Sequence, residues 1–163
     1  MMEKVLVVNV EKCTGCRVCE LACSAFHYKE FSPSRSRVSV ISWEERGIDV
    51  PALCNQCEDA PCIKACPTGA LYRIEGEILV RLDYERCIGC RACMYACPFG
   101  GIGWDPVERK VIKCDLCGGD PQCAKYCPTG AIEYVMANRA AVVKRRRASE
   151  SLARYMKEVT GGR

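Results

Sequence analysis

Cys87-Ile88-Gly89-Cys90-Arg91-Ala92-Cys93-Met94-Tyr95-Ala96-Cys97-Pro98 reads C-x2-C-x2-C-x3-C-P. Bacterial chains hold iron–sulfur clusters with this spacing. Three thiolates at two-residue gaps wrap a loop around one cube of iron and sulfide. The fourth, three residues on, faces away and serves a second cube. One such run therefore predicts a partner run, and the sequence supplies three more.

Cys13, Cys16, Cys19 and Cys23 repeat the spacing, with Ser24 in place of the proline. Cys54, Cys57, Cys62 and Cys66 form a looser C-x2-C-x4-C-x3-C-P that ends at Pro67. Cys114, Cys117, Cys123 and Cys127 form C-x2-C-x5-C-x3-C-P, ending at Pro128. All sixteen cysteines fall into these four quartets. A disulfide framework suits small secreted domains, but the chain opens with no signal-peptide pattern and the quartets crowd their sulfurs. Zinc sites are usually built from two separated C-x2-C pairs, which is not the spacing seen here. Sixteen soft thiolates fit four 4Fe–4S clusters, and all sixteen are expected as iron ligands.

A chain of 163 residues makes one domain or two small ones. Clusters replace hydrophobic core as internal cross-links, so removing iron is expected to collapse the fold. The sequence has no apolar run of about 18 residues and no twin-arginine leader, so the expectation is a cytoplasmic protein without a membrane span. The formal charge of +4 counts the thiols as neutral. Each oxidised cluster with four thiolates carries about −2, which turns the loaded protein acidic, near −4. Basic charge gathers late, in Arg139, Lys144, Arg145, Arg146, Arg147, Arg154, Lys157 and Arg163. A basic pI is therefore no sign of nucleic-acid binding, and none is expected.

Short β-branched stretches separate the quartets. Val5 to Val10 reads as a strand, and Arg17 to Tyr28 as a short helix. Val38 to Trp43, a turn at Gly47, and Ile48 to Leu53 make a hairpin additional to a minimal two-cluster unit. Leu71 to Ile74 with Ile78 to Leu82 makes a second, turned at Gly76. Gly100 to Trp104 with Val111 and Ile112 makes a third, turned at Asp105-Pro106. Ala131 to Val135 reads as the last strand, and Met136 to Val159 has helical composition. The quartets alternate in type. The first and third share one pattern, while the second and fourth each close on Pro-Thr-Gly-Ala. Each two-cluster module needs one of each type, so pairing is either tandem or nested. Strands flanking the first and last quartets favour nesting. The fold class expected is α+β: an outer module of residues 1–30 plus 110–136, an inserted module of residues 31–109 carrying the extra hairpin, and a basic C-terminal helix or tail over 137–163.

Residues 1 to about 136 resemble the iron–sulfur electron-transfer subunits of the dimethyl sulfoxide reductase type. The resemblance rests on Gly47 to Leu71, Cys93 to Gly100 and Lys113 to Cys117. The short form without a membrane anchor is most similar to partners of tungsten-containing aldehyde oxidoreductases and of carbon monoxide dehydrogenases. The resemblance implies two nested bacterial ferredoxin-like modules and four ligand sets. These are Cys13, Cys16, Cys19 and Cys127; Cys23, Cys114, Cys117 and Cys123; Cys54, Cys57, Cys62 and Cys97; and Cys66, Cys87, Cys90 and Cys93. It also implies a non-catalytic relay that passes single electrons between a catalytic tungsten or molybdenum pterin subunit and a second redox partner, such as a flavin subunit or ferredoxin. A free-standing polyferredoxin and a relay for a nickel carbon monoxide dehydrogenase or hydrogenase are the alternatives. With clusters near both ends, end-to-end stacking into larger assemblies is a further expectation.

No nucleophile–base pair, phosphate loop or open metal position is legible, so no catalytic residue is expected. Arg17 and Arg91 hold matching positions in two quartets and are candidates for raising a cluster's potential, against the plainer reading of solvated side chains or partner salt bridges. His27, the single histidine, is expected to be an ordinary surface or packing residue. Trp43, Trp104 and the tyrosines are expected to fill gaps beside clusters. The apolar residues of the tail are expected to form a docking helix for another subunit.

Overall fold

The computed structural model describes residues 4–138, 140, 141, 149 and 154. The expected basic helix of the tail lies almost entirely outside them.

Four two-stranded antiparallel ribbons, each close to a cysteine loop, form the frame. β1 (Lys4–Val8) pairs with β8 (Ile132–Met136), Lys4 opposite Met136 and Val8 opposite Ile132. The first and last strands of the sequence reading thus close on each other. β2 (Ser39–Trp43) and β3 (Ile48–Ala52) form the hairpin turned at Gly47. β4 (Leu71–Arg73) pairs with β5 (Val80–Leu82), and β6 (Ile102–Asp105) with β7 (Lys110–Lys113). These strands are three to five residues long, and an isolated ribbon of that length has marginal stability in water. Packing against other elements has to supply the rest.

That packing is in two cores. The first gathers Leu6, Cys19, Cys23, Val38, Val40, Leu53, Leu116, Cys123 and Ile132. The second gathers Ala60, Cys62, Leu71, Val80, Cys93, Ile102 and Val111. Cysteine side chains stand in both, as expected where sulfur sites replace aliphatic core. The β2–β3 hairpin buries Val40 in the first core, although it lies within the 31–109 stretch.

Four helices carry cysteines. α1 (Val18–Tyr28) packs against α4 (Gln122–Lys125), and α2 (Pro61–Lys64) against α3 (Ala92–Ala96). Proline at the first position starts α2, where its missing N–H costs nothing. Arg17 and Arg91 precede α1 and α3 in the left-handed region, with φ of 56° and 62°. The backbone there turns sharply from the cysteine loop into the helix. α2, α3 and α4 were not expected from the sequence. At four or five residues they are too short to show a helical period.

An ion network joins the two cores. Arg35 Nε donates to Asp105 Oδ2 at 3.0 Å, its Nη1 to Glu30 at 2.9 Å and its Nη2 to Glu108 at 2.7 Å. The guanidinium also lies 3.7 Å over the Tyr28 ring. Asp105 Oδ1 accepts from the Val107 and Glu108 backbone N–H groups and so closes the β6–β7 turn. Asp-Pro was read as the turn signal, and the aspartate has the further task of anchoring that turn to the segment after α1.

Candidate iron–sulfur centres

Each cysteine quartet puts its first two sulfurs ahead of a helix, the third in the first turn of that helix (α1 to α4), and the fourth later in it or just beyond it. Three cavities result, each lined by four cysteines drawn from two quartets. The first is lined by Cys13, Cys16, Cys19 and Cys127, the second by Cys54, Cys57, Cys62 and Cys97, and the third by Cys66, Cys87, Cys90 and Cys93. Their empty volumes are alike, about 290, 330 and 300 Å³. The remaining cysteines form a fourth group. Burial pushes the Cys123 thiol far up, and the facing Cys114, Cys23 and Cys117 push it further.

Shared helices and neighbouring cysteines link the groups one to the next. α1 carries Cys19 and Cys23, and α4 with the residues after it carries Cys123 and Cys127. These two helices therefore link the first cavity to the fourth group. Cys114 in turn faces Cys54. α2 and α3 carry Cys62 and Cys93, with Cys66 and Cys97 just beyond them, and so link the last two cavities. Cys16 and Cys90 are exposed and sit in the two terminal groups.

The donor set fits a cationic iron–sulfide core. Burial raises the thiols of Cys19 and Cys114 to about 12 and those of Cys93 and Cys117 to about 11. A thiolate in those places needs a metal cation beside it. Cys66 and Cys127 behave differently. Burial pushes them up, but backbone N–H groups of Leu71 and Ile132, with the Thr68 and Thr129 hydroxyls and their neighbours, outweigh it and lower both thiols. The repeated Pro-Thr-Gly-Ala turn is thus a cradle of donors for one sulfur. Further N–H donors reach Cys23 from Arg37 at 3.3 Å and Cys97 from Gly101 at 3.4 Å. Such donors stabilise thiolate and cluster charge alike.

Two glycines admit close approaches. A Cβ on Gly15 would lie 2.7 Å from the Asp49 carboxylate, so β3 packs directly on the first cysteine loop. A Cβ on Gly101 would lie 2.7 Å from the Cys54 Cα, where the chain after α3 crosses the second quartet. Val40 and Pro51 of the hairpin line the first cavity. The extra hairpin is its lid.

Arg17 and Arg91, the candidates for raising a cluster's potential, are both exposed. Arg91 stacks 3.7 Å over the Trp104 ring, and Trp104 packs on the second core. That cation–π contact orients the guanidinium without removing Arg91 from solvent. His27 is more than a packing residue. Its Nε2 lies 3.7 Å from Cys117 Sγ and 3.5 Å from Asp115 Oδ1, and Asp115 also pairs with Arg37 at 2.6 Å. Burial, then Arg37, lowers the imidazole below its ordinary value despite Asp115. Trp43 is half-exposed on the hairpin and fills no gap. Missed from the sequence were Gln56 and Lys113, whose buried side chains meet between the second and fourth quartets. Only the fold brings them together across 57 residues, so no local pattern announces them.

A model described as a 4Fe-4S dicluster domain matches residues 47–137, and one described as a 4Fe-4S binding domain matches residues 10–26. The chain belongs to the 4Fe-4S dicluster domain family. The polyferredoxin-like subunit of an aliphatic sulfonate oxidoreductase from Pyrococcus furiosus is 43% identical over 123 residues, covering 75% of this chain and 70% of that one. The electron transport protein HydN of Escherichia coli is 35% identical over 167 residues, covering 85% and 91%. Among solved structures, the active site complex BamBC of benzoyl coenzyme A reductase aligns with a TM-score of 0.50 and 31% identity, over 82% of this chain and 76% of that one. Relatives of this 4Fe-4S ferredoxin-like protein thus include electron transport proteins and oxidoreductase subunits. Among the described residues, no helix is long and apolar enough to cross a membrane.

Proposed function

We propose that this protein is a non-catalytic relay subunit that holds four 4Fe–4S clusters in a row and passes single electrons along them. The observation that carries the reading is the grouping of cysteines: three similar cavities of four sulfurs and a fourth group between them, with exposed Cys16 and Cys90 at opposite ends of the series. The bound clusters supply one-electron oxidation and reduction. The ligand sets are Cys13, Cys16, Cys19 and Cys127; Cys23, Cys114, Cys117 and Cys123; Cys54, Cys57, Cys62 and Cys97; and Cys66, Cys87, Cys90 and Cys93. The first quartet shares its sets with the fourth and the second with the third, so in this reading the modules are nested: 1–30 with 110–136 around 31–109.

The protein's own residues do three things for this function. Buried aliphatic side chains such as Leu71 and Ile132 wall the terminal sites against water. Backbone amides of the Pro-Thr-Gly-Ala turns face the sulfurs of Cys66 and Cys127. Exposed Ile88 and Tyr95 flank the Cys90 loop and offer apolar surface to a partner.

The partner in this reading is a catalytic oxidoreductase subunit, of the tungsten or molybdenum pterin type, with a ferredoxin or flavin subunit at the other end. Relatives named as subunits of oxidoreductases support a fixed partner over a diffusible carrier. Anaerobic capture of the protein from its own cells, followed by elemental analysis, tests it. Tungsten or molybdenum in stoichiometric amount with the iron is the expected result. Nickel, or iron with no large partner, would overturn the pterin assignment.

A further inference from the structure

Lys113 ends β7 with its side chain only 4% exposed. Its ammonium donates to Gln56 Oε1 at 3.1 Å and to the Cys114 carbonyl at 2.9 Å. Both are neutral oxygens. Gln56 is itself 5% exposed, and both ends of its carboxamide are hydrogen-bonded. Oε1 also accepts from Val80 N–H at 3.0 Å, and Nε2 donates to the Cys114 carbonyl at 3.0 Å. Two donors meeting one atom require oxygen there, which fixes the orientation of the amide.

A buried ammonium with neutral partners is costly unless an anion lies nearby. Arg35, the other buried cation, has its anions in Glu30, Asp105 and Glu108. Among the described residues, Lys113 makes no such ion pair. Cluster ligands flank it instead. The ammonium sits on the carbonyl of Cys114, a member of one inner ligand set, and on the side chain of Gln56, which stands between Cys54 and Cys57 of the other.

We infer that Lys113, held by Gln56, is an internal counter-ion shared by the two inner cluster sites and raises their reduction potentials relative to the terminal pair. The assignment rests on the four-cluster reading above. A fixed positive charge favours the more negative, reduced state of whatever lies beside it, and low dielectric strengthens the effect. An electron entering from either end is thereby drawn to the middle of the protein. Lys113 touches neither substrate nor partner and is a positioning charge.

The test is a redox titration of the loaded protein, followed by electron paramagnetic resonance. Lys113→Gln removes the charge. Gln56→Glu leaves the lysine and cancels its charge with a facing carboxylate. In both, two of the four clusters are expected to titrate at lower potential while the other two stay in place. Lys113→Arg, which keeps the charge, retains the wild-type values, as does Lys110→Gln on the same strand. About sixteen iron atoms in the wild type check the four-cluster reading separately. With that content present, potentials unmoved in both charge variants, or shifted equally at all four clusters, would overturn the assignment. So would a shift in Lys113→Gln that Gln56→Glu fails to reproduce, since it would mark a packing effect.

Discussion

Gly101 has no room for a side chain. Its backbone N–H donates to Cys97 Sγ, and its Cα faces the backbone of Cys54. One residue thus fixes the distance between two quartets at the point where a sulfur changes partners. In Gly101→Ala the added methyl would meet backbone atoms at 2.7–2.9 Å, and backbone yields less readily than a side chain. The expected outcome is loss of one cluster, about four of sixteen iron atoms, with the other three retained on anaerobic iron analysis. Full iron content in that variant would show that the crossing tolerates displacement. The same residue shows what the sequence made legible. Sixteen cysteines at fixed gaps announced their chemistry without any fold. Gly101 was read only as part of the strand stretch from Gly100 to Trp104, and its contact with Cys54 depends on how two distant loops pack. Gln56 and Lys113 were hidden for the same reason. His27 was undervalued because the cysteines alone satisfied the ligand count, which said nothing about what stands beside a ligand's sulfur.

The ribbons and α1 were legible because each is bounded by glycine, proline or a cysteine loop and carries β-branched or apolar residues at a clear period. The β2–β3 hairpin was seen, but its role as a cover over the first cavity was not, since burial of Val40 and Pro51 is a tertiary fact. The β6–β7 hairpin depends on Asp105 in a similar way. Burial pushes the Asp105 carboxyl up, but the Glu108 N–H, Arg35 and the Val107 N–H together hold it below its ordinary value of 3.8. A carboxyl lowered in the folded state stabilises above its unfolded pKa, and the contribution fades as pH falls through the lower, folded value. Asp105→Asn keeps the shape and removes the charge. Its loaded form is expected to be less stable than wild type to denaturant at pH 7, and the gap should close as pH drops below about 4. A gap that stays constant down to acid pH would mean that the Arg35 network contributes packing and hydrogen bonds but no charge.

Four ribbons and four cysteine groups make a molecule whose two cores each contain sulfur sites, joined by Arg35 on one side and by the Gln56–Lys113 clasp on another. Cavities of nearly equal size, one exposed cysteine in each terminal group, and relatives that serve in electron transport converge on a relay. The most direct test is anaerobic iron and acid-labile sulfide analysis with Mössbauer spectroscopy on protein purified from its own source. About sixteen iron atoms and sixteen sulfides per chain, all in cubane 4Fe–4S environments, are the predicted result. About eight of each, or zinc held by the same thiolates, would contradict the account.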